Sequence, residues 1–167
     1  MDQAVSIMHL HRKPAKNKTL IHSKQWGKGW LKYDYFGGTA IARLKQSEYL
    51  FITKGKLKQE TYIHDKYTKE LVGLMTFNAI RTRATIRLSS NKVFIFQNFA
   101  PFLFLSRITE YKKPLVTYKA SFTGGIVRSY TNDEILVLAG LFARNFYLLY
   151  GLIFIGLLLT AVAYGIH

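Results

Sequence analysis

The sequence predicts a mainly β protein. It reads as a ten- to twelve-stranded sheet, closed into a β-barrel around an apolar C-terminal helix that continues as a transmembrane span. Three observations carry this reading. Between residues 29 and 130, short runs rich in Tyr, Phe, Ile, Val and Thr alternate with Gly, Asn, Ser or Lys turns at spacings of roughly 8–12 residues. After Glu134 the only charged side chain is Arg144. No proline interrupts that last stretch, so one helix can run through it.

The first 28 residues carry Arg12, Lys13, Lys16, Lys18, Lys24 and Lys28, with Pro14 between them. So dense a basic run reads as a solvated N-terminal arm, not as part of the fold. It holds no apolar run of the length a signal peptide needs, so the N-terminus is expected to stay cytosolic. The Asn17-Lys18-Thr19 sequon would then go unused.

Strands follow at residues 31–35, 39–44, 49–53, 61–65, 70–77, 84–88, 93–97, 102–109, 115–120 and 126–130. "ATIRLS" alternates, with Ala84, Ile86 and Leu88 on one face and Thr85 and Arg87 on the other. "VFIF" and "FLFL" do not alternate, and strands apolar on both faces are expected to be covered on both. Residues 62–77 and 107–120 share one pattern: an acidic strand end (Asp65, Glu110), a Lys-rich turn, then "LV" opening the next strand. They read as two copies of one hairpin. The barrel domain thus spans residues 29–130.

Thr131 and Glu134 have the spacing of a capping box, which starts the helix there. Residues 131–145 are apolar but too short to span a bilayer. Twelve helical residues are about 18 Å long, and strands of about seven residues tilted by ~40° make a barrel of about the same height. This segment therefore fits as a plug inside the barrel.

Residues 146–166 carry no charge, and twelve of them are Leu, Ile, Phe or Val. Those twelve supply roughly −4 to −7 kcal/mol toward membrane insertion. Twenty-one residues at ~1.5 Å each match the ~30 Å hydrocarbon core. Arg144, Tyr147 and Tyr150 would lie at one membrane interface and Tyr164 at the other. The basic excess lies wholly N-terminal to the span, which predicts a single-pass C-terminal anchor with the basic domain in the cytosol.

The hairpins "ETYIHDKYTKELVGLMTF" and "FLFLSRITEYKKPLVTYK", followed by "GGIVRSYTNDEILVLAGLF", resemble the tubby C-terminal-like superfamily, which includes LURP-one-related proteins and phospholipid scramblases. The resemblance covers about residues 29–147 and rests on pattern, since the family has no invariant catalytic signature. It implies a barrel of twelve strands threaded by an apolar helix. The phosphoinositide site of tubby proteins has no recognisable counterpart here and is not carried over.

Composition bounds function from another side. The chain has 167 residues, 24 Lys and Arg against 9 Asp and Glu, and a formal charge of +15. Such a charge calls for an anionic partner. Cysteine is absent, which excludes disulfides, thiolate catalysis and Cys-based zinc sites. No nucleophile, phosphate-loop, zinc-protease or dinucleotide motif occurs, so no catalytic residue, cofactor or metal is expected. His9 and His11 alone, in a basic segment without acidic partners, make no metal set.

The expected function is a membrane-anchored, non-catalytic module that binds anionic lipid headgroups or a membrane partner through its basic face. Lys54, Lys56 and Lys58 of "KGKLK" form the densest basic group of the folded part. A second reading is an accessory subunit of a larger membrane complex, with Gly151, Gly156 and Thr160 as a small-residue strip for helix packing. A third, a nucleic-acid or ribosome-associated protein, explains the charge but leaves the apolar tail without a role.

Overall fold

A computed structural model of the chain describes residues 5–34, 38–55, 59–78, 81–100, 105–121 and 123–164. Twelve strands form one closed antiparallel barrel: β1 (Ser6–Lys13), β2 (Lys18–Ser23), β3 (Gly27–Asp34), β4 (Thr39–Leu44), β5 (Ser47–Lys54), β6 (Glu60–Asp65), β7 (Leu71–Asn78), β8 (Arg83–Leu88), β9 (Val93–Ala100), β10 (Leu105–Glu110), β11 (Lys113–Ala120) and β12 (Gly124–Ser129). Each strand pairs with the next in sequence, and β1 closes the ring against β12, with Met8 opposite Val127. Closure leaves no edge strand to template aggregation. A single helix, α1 (Glu134–Ala163), follows β12 and turns back through the barrel.

All ten strands expected from the sequence are present, and the two it did not anticipate lie in the supposed arm. Residues 6–28 are not loose: they form β1, β2 and the start of β3. The reason is a period of two hidden under the charge. Ser6, Met8 and Leu10 point inward and are buried, while Ile7, His9 and His11 point out. The lysines and arginines that mark this segment as solvated are the outer face and turn of a hairpin whose inner face is core. A short 3-10 turn (Pro14–Lys16) closes it, with Asn17 in the left-handed region at φ 49°.

Among the described residues, the first half of α1 fills the barrel interior. Leu136, Val137, Leu138, Ala139, Leu141, Phe142 and Ala143 are buried around the whole helix circumference, as a helix enclosed on all sides requires. Phe142 stacks on Phe51 at 4.9 Å and on Tyr33 at 5.4 Å. Tyr33 donates from its hydroxyl to the Phe142 carbonyl at 3.0 Å, and Tyr118 donates to the Val137 carbonyl at 2.8 Å. Two phenols pointing inward thus pin the plug through carbonyls along its length.

Two expectations change. The helix does not start on a Thr131–Glu134 capping box. Asp133 is the cap, accepting from the Leu136 amide at 3.1 Å, and Thr131 accepts from the Asp133 amide two residues earlier. Glu134 is engaged from across the base of the barrel instead, where the Tyr49 hydroxyl donates to it at 3.0 Å. The outer face is not covered either: Val93, Phe99 and Leu105 are exposed, because a closed single-layer barrel has only its inner face to bury. The two hairpins read as copies do share a device: register shifts fall between Ile63 and His64 and between Ile108 and Thr109, each pair just before the acidic strand end.

Candidate functional site

The helix gives the barrel two unlike ends. At the base lie Glu134, Tyr49 and the turns that join β2 to β3 and β4 to β5. At the mouth the helix leaves between the ends of β3, β5, β7 and β11. The exit is built from the last buried turn of α1. Arg144 is only 6% exposed. Its Nη2 donates to the carbonyls of Ala120 at 3.1 Å and Ser121 at 2.9 Å, and its Nη1 donates to Asn145 at 3.0 Å. Carbonyl oxygens at a strand end have lone pairs left over from the ladder, so a guanidinium can be buried there while staying hydrogen-bonded. Tyr147 donates from its hydroxyl to the carbonyls of Arg83 at 2.5 Å and Asn78 at 3.2 Å. Phe146 stacks on Phe77 at 4.0 Å, and Tyr147 lies parallel to Phe96 at 6.0 Å. An aromatic collar seals the helix into the mouth.

One turn later the environment inverts. Leu152 and Ile153 are exposed, and exposure reaches 64% at Leu157, 66% at Leu159 and 79% at Val162. No polar spacer separates Tyr147 from this apolar stretch. The helix of 30 residues is long and apolar enough to cross a membrane. A pocket of about 290 Å³ lies where the two environments meet, with Tyr33, Thr53, Gln59, Phe146, Tyr150 and Ile153 in its wall.

These positions revise the residue roles. Arg144 and Tyr147, expected at a membrane interface, are inside the barrel, because strand-end carbonyls offer them hydrogen bonds. Tyr150 stands at the mouth, half-exposed, its hydroxyl accepting from Gln59 Nε2. Tyr164 is 79% exposed. Gly151 and Gly156 have open space where a Cβ would stand, and Thr160 donates to the Gly156 carbonyl at 2.8 Å. Lys54 ends β5 with its ammonium 5.3 Å from the Tyr62 ring centre; Lys56 and Lys58 lie outside the described residues.

Charge also divides between the ends. Each strand half is counted with its adjoining turn, among the described residues and leaving buried Arg144 aside. The mouth half then holds ten Lys and Arg against two acidic residues, Asp34 and Glu60, a net +8. The base half holds eleven against six, a net +5. The densest group without an acid is the β1–β2 turn: Arg12, Lys13, Lys16 and Lys18. Sequence reading placed these four in a free arm; the alternation of Met8, Leu10 and Ile21 was the signal that they belong to the rim.

At the base, burial pushes the Tyr49 phenol up, with the Glu134 carboxylate adding to it and a hydrogen bond to Ser47 opposing. Burial alone pushes Tyr118 well above the usual phenol range. Neither is placed to act on a ligand: Tyr118 is enclosed, and Tyr49 is spent on the helix start. Among the described residues no group of His and acidic side chains could hold a metal ion. His9 does face His22 across the β1–β2 pair, on the outer surface.

No protein-family model, curated protein or solved structure matches this chain.

Proposed function

We propose that this chain is a non-catalytic β-barrel module held at a membrane by the free half of its own core helix, which binds anionic headgroups through its basic face. The observation that carries the reading is the change along α1. Its first half is buried against the inward side chains of the barrel. Its second half, with no intervening polar residue, exposes Leu157, Leu159 and Val162. An exposed apolar surface of that length on an isolated helix is unfavourable in water and favourable in hydrocarbon. The basic excess, N-terminal to the span, favours the barrel on the cytosolic side. Kinship with the tubby-like proteins is proposed on the same footing, from the sequence pattern of the hairpins and the apolar helix.

The test is extraction. A membrane pellet washed with alkaline carbonate is expected to retain the chain, and release into the supernatant overturns the reading. The rival reading, an accessory subunit, draws on Gly151 and Gly156, which leave a smooth strip on the exposed helix. Migration in a native gel after mild detergent separates them, since a lone anchor runs near 19.3 kDa plus its micelle. A nucleic-acid partner would account for the charge and leave the exposed helix unexplained.

A further inference from the structure

We propose that the barrel stands end-on to the bilayer, mouth down, with the β1–β2 turn as its principal contact with anionic headgroups. The inference rests on the membrane anchoring proposed above and adds the docking surface. Three observations point to it.

The first is the path of the helix. Its start is bonded at the base, through Glu134 to Tyr49, and its exit at the mouth, through Arg144 to Ala120 and Ser121. Those contacts make α1 run the height of the barrel, and it continues outward unbroken to Ala163. Because α1 is one continuous helix through the mouth, the barrel axis follows the axis of the span.

The second is the missing spacer. Tyr147 is still buried in the collar, and Leu152 and Ile153 are already exposed. Putting those side chains in hydrocarbon leaves about one helical turn, roughly 5 Å, between the mouth and the apolar boundary. The rim must then lie among the headgroups.

The third is the rim itself. Arg12, Lys13, Lys16 and Lys18 sit on a turn fixed by the 3-10 segment, with the Asn17 amide donating to the Pro14 carbonyl and the Tyr33 amide donating to the Asn17 carbonyl, both at 2.9 Å. Arg81 and Arg83 face the mouth from the β7–β8 side. Among the described residues this end carries ten Lys and Arg against two acids, Asp34 and Glu60. A rim of basic residues with so few acids suits an anionic headgroup layer.

The absence of cysteine makes the test direct. Single variants Lys16→Cys, at the mouth, and Lys92→Cys, at the base, are labelled with a fluorophore in the full chain. Both are reconstituted in vesicles containing phosphatidylserine and nitroxide-labelled lipid. Several-fold stronger quenching at position 16 than at position 92 is expected. Equal quenching, or stronger quenching at position 92, overturns end-on docking while carbonate still leaves the protein in the pellet; carbonate release overturns the anchoring and the docking together. Adding Lys13→Gln and Lys18→Gln to the Lys16→Cys chain is expected to lower its quenching in phosphatidylserine vesicles and to leave phosphatidylcholine vesicles unchanged. No change in phosphatidylserine overturns the role of the β1–β2 turn.

Discussion

Gly140 lies on the buried half of the helix, directly against the barrel wall. A Cβ built there collides with the Tyr118 ring and hydroxyl and with the Ile108 side chain. Alanine normally improves a helix interior by about 1 kcal/mol over glycine; here overpacking is expected to reverse the sign. Gly140→Ala should lower stability by about 1–3 kcal/mol in thermal melting, while Gly151→Ala, in open space, should lose nothing. Tyr118 gives a second residue-scale test. Its phenol stays neutral in the fold well past the pH at which the unfolded chain ionises. Its contribution to stability is therefore complete below pH ~10 and declines above it by about 1.4 kcal/mol per pH unit. Tyr118→Phe should flatten the alkaline limb of a stability–pH curve by that slope, even though losing the bond to Val137 lowers the curve as a whole. Arg144 and Tyr147 show what a sequence cannot supply at this scale. An Arg or Tyr flanking an apolar run looks alike whether its partner is a headgroup or a strand-end carbonyl, and only the barrel decides between them.

Elements were more legible than residues. The strands from β3 to β12 could be read from short apolar and β-branched runs between turn residues, most cleanly where polar outward positions alternate with inward apolar ones, as in β8. The same logic applies to β1 and β2, but six basic residues in the first 28 outweighed three buried apolar ones. The paired hairpins were visible as a sequence pattern, whereas their matching bulges were not, since a bulge is a backbone event without a residue signature here. One hairpin carries a local conflict. Tyr111 and Lys112 form the β10–β11 turn at φ 45° and 69°, and Tyr111 is 98% exposed. A two-residue turn with both φ positive favours Asn-Gly, and each ordinary residue there costs about 1–2 kcal/mol. Replacing the pair with Tyr111→Asn and Lys112→Gly should therefore raise the melting temperature. An unchanged or lower value would mean that the exposed tyrosine has packing worth more than the strain it bears.

At the scale of the molecule, one helix serves as both the core of the barrel and a free apolar rod, and the boundary between the two can be located by cutting. Sequence reading put it at Arg144-Asn145, since charge ends there. The structure moves it outward by a turn: Phe146 stacks on Phe77, and Tyr147 ties β7 to β8 through the Asn78 and Arg83 carbonyls. A chain ending at Leu149 keeps every one of these contacts and loses the exposed rod, so it should be folded, soluble and no longer retained by carbonate-washed membranes. It should still bind phosphatidylserine vesicles, weakly and with an affinity that falls as salt is raised, because the rim charges remain. A chain ending at Asn145 loses the collar. Deleting one buried aromatic costs about 3–5 kcal/mol, a large share of the 5–15 kcal/mol that holds a domain, so this fragment should melt far below the first. A chain ending at Thr131 has no plug. Its inward Phe51, Phe96 and Ile108 would face an empty interior, and it should aggregate. The ordering 149, then 145, then 131 is the signature of a boundary at the collar. If the chain ending at Leu149 precipitated, residues past the mouth would be completing a protein interior, and the exposed half of α1 would belong against protein and not in lipid.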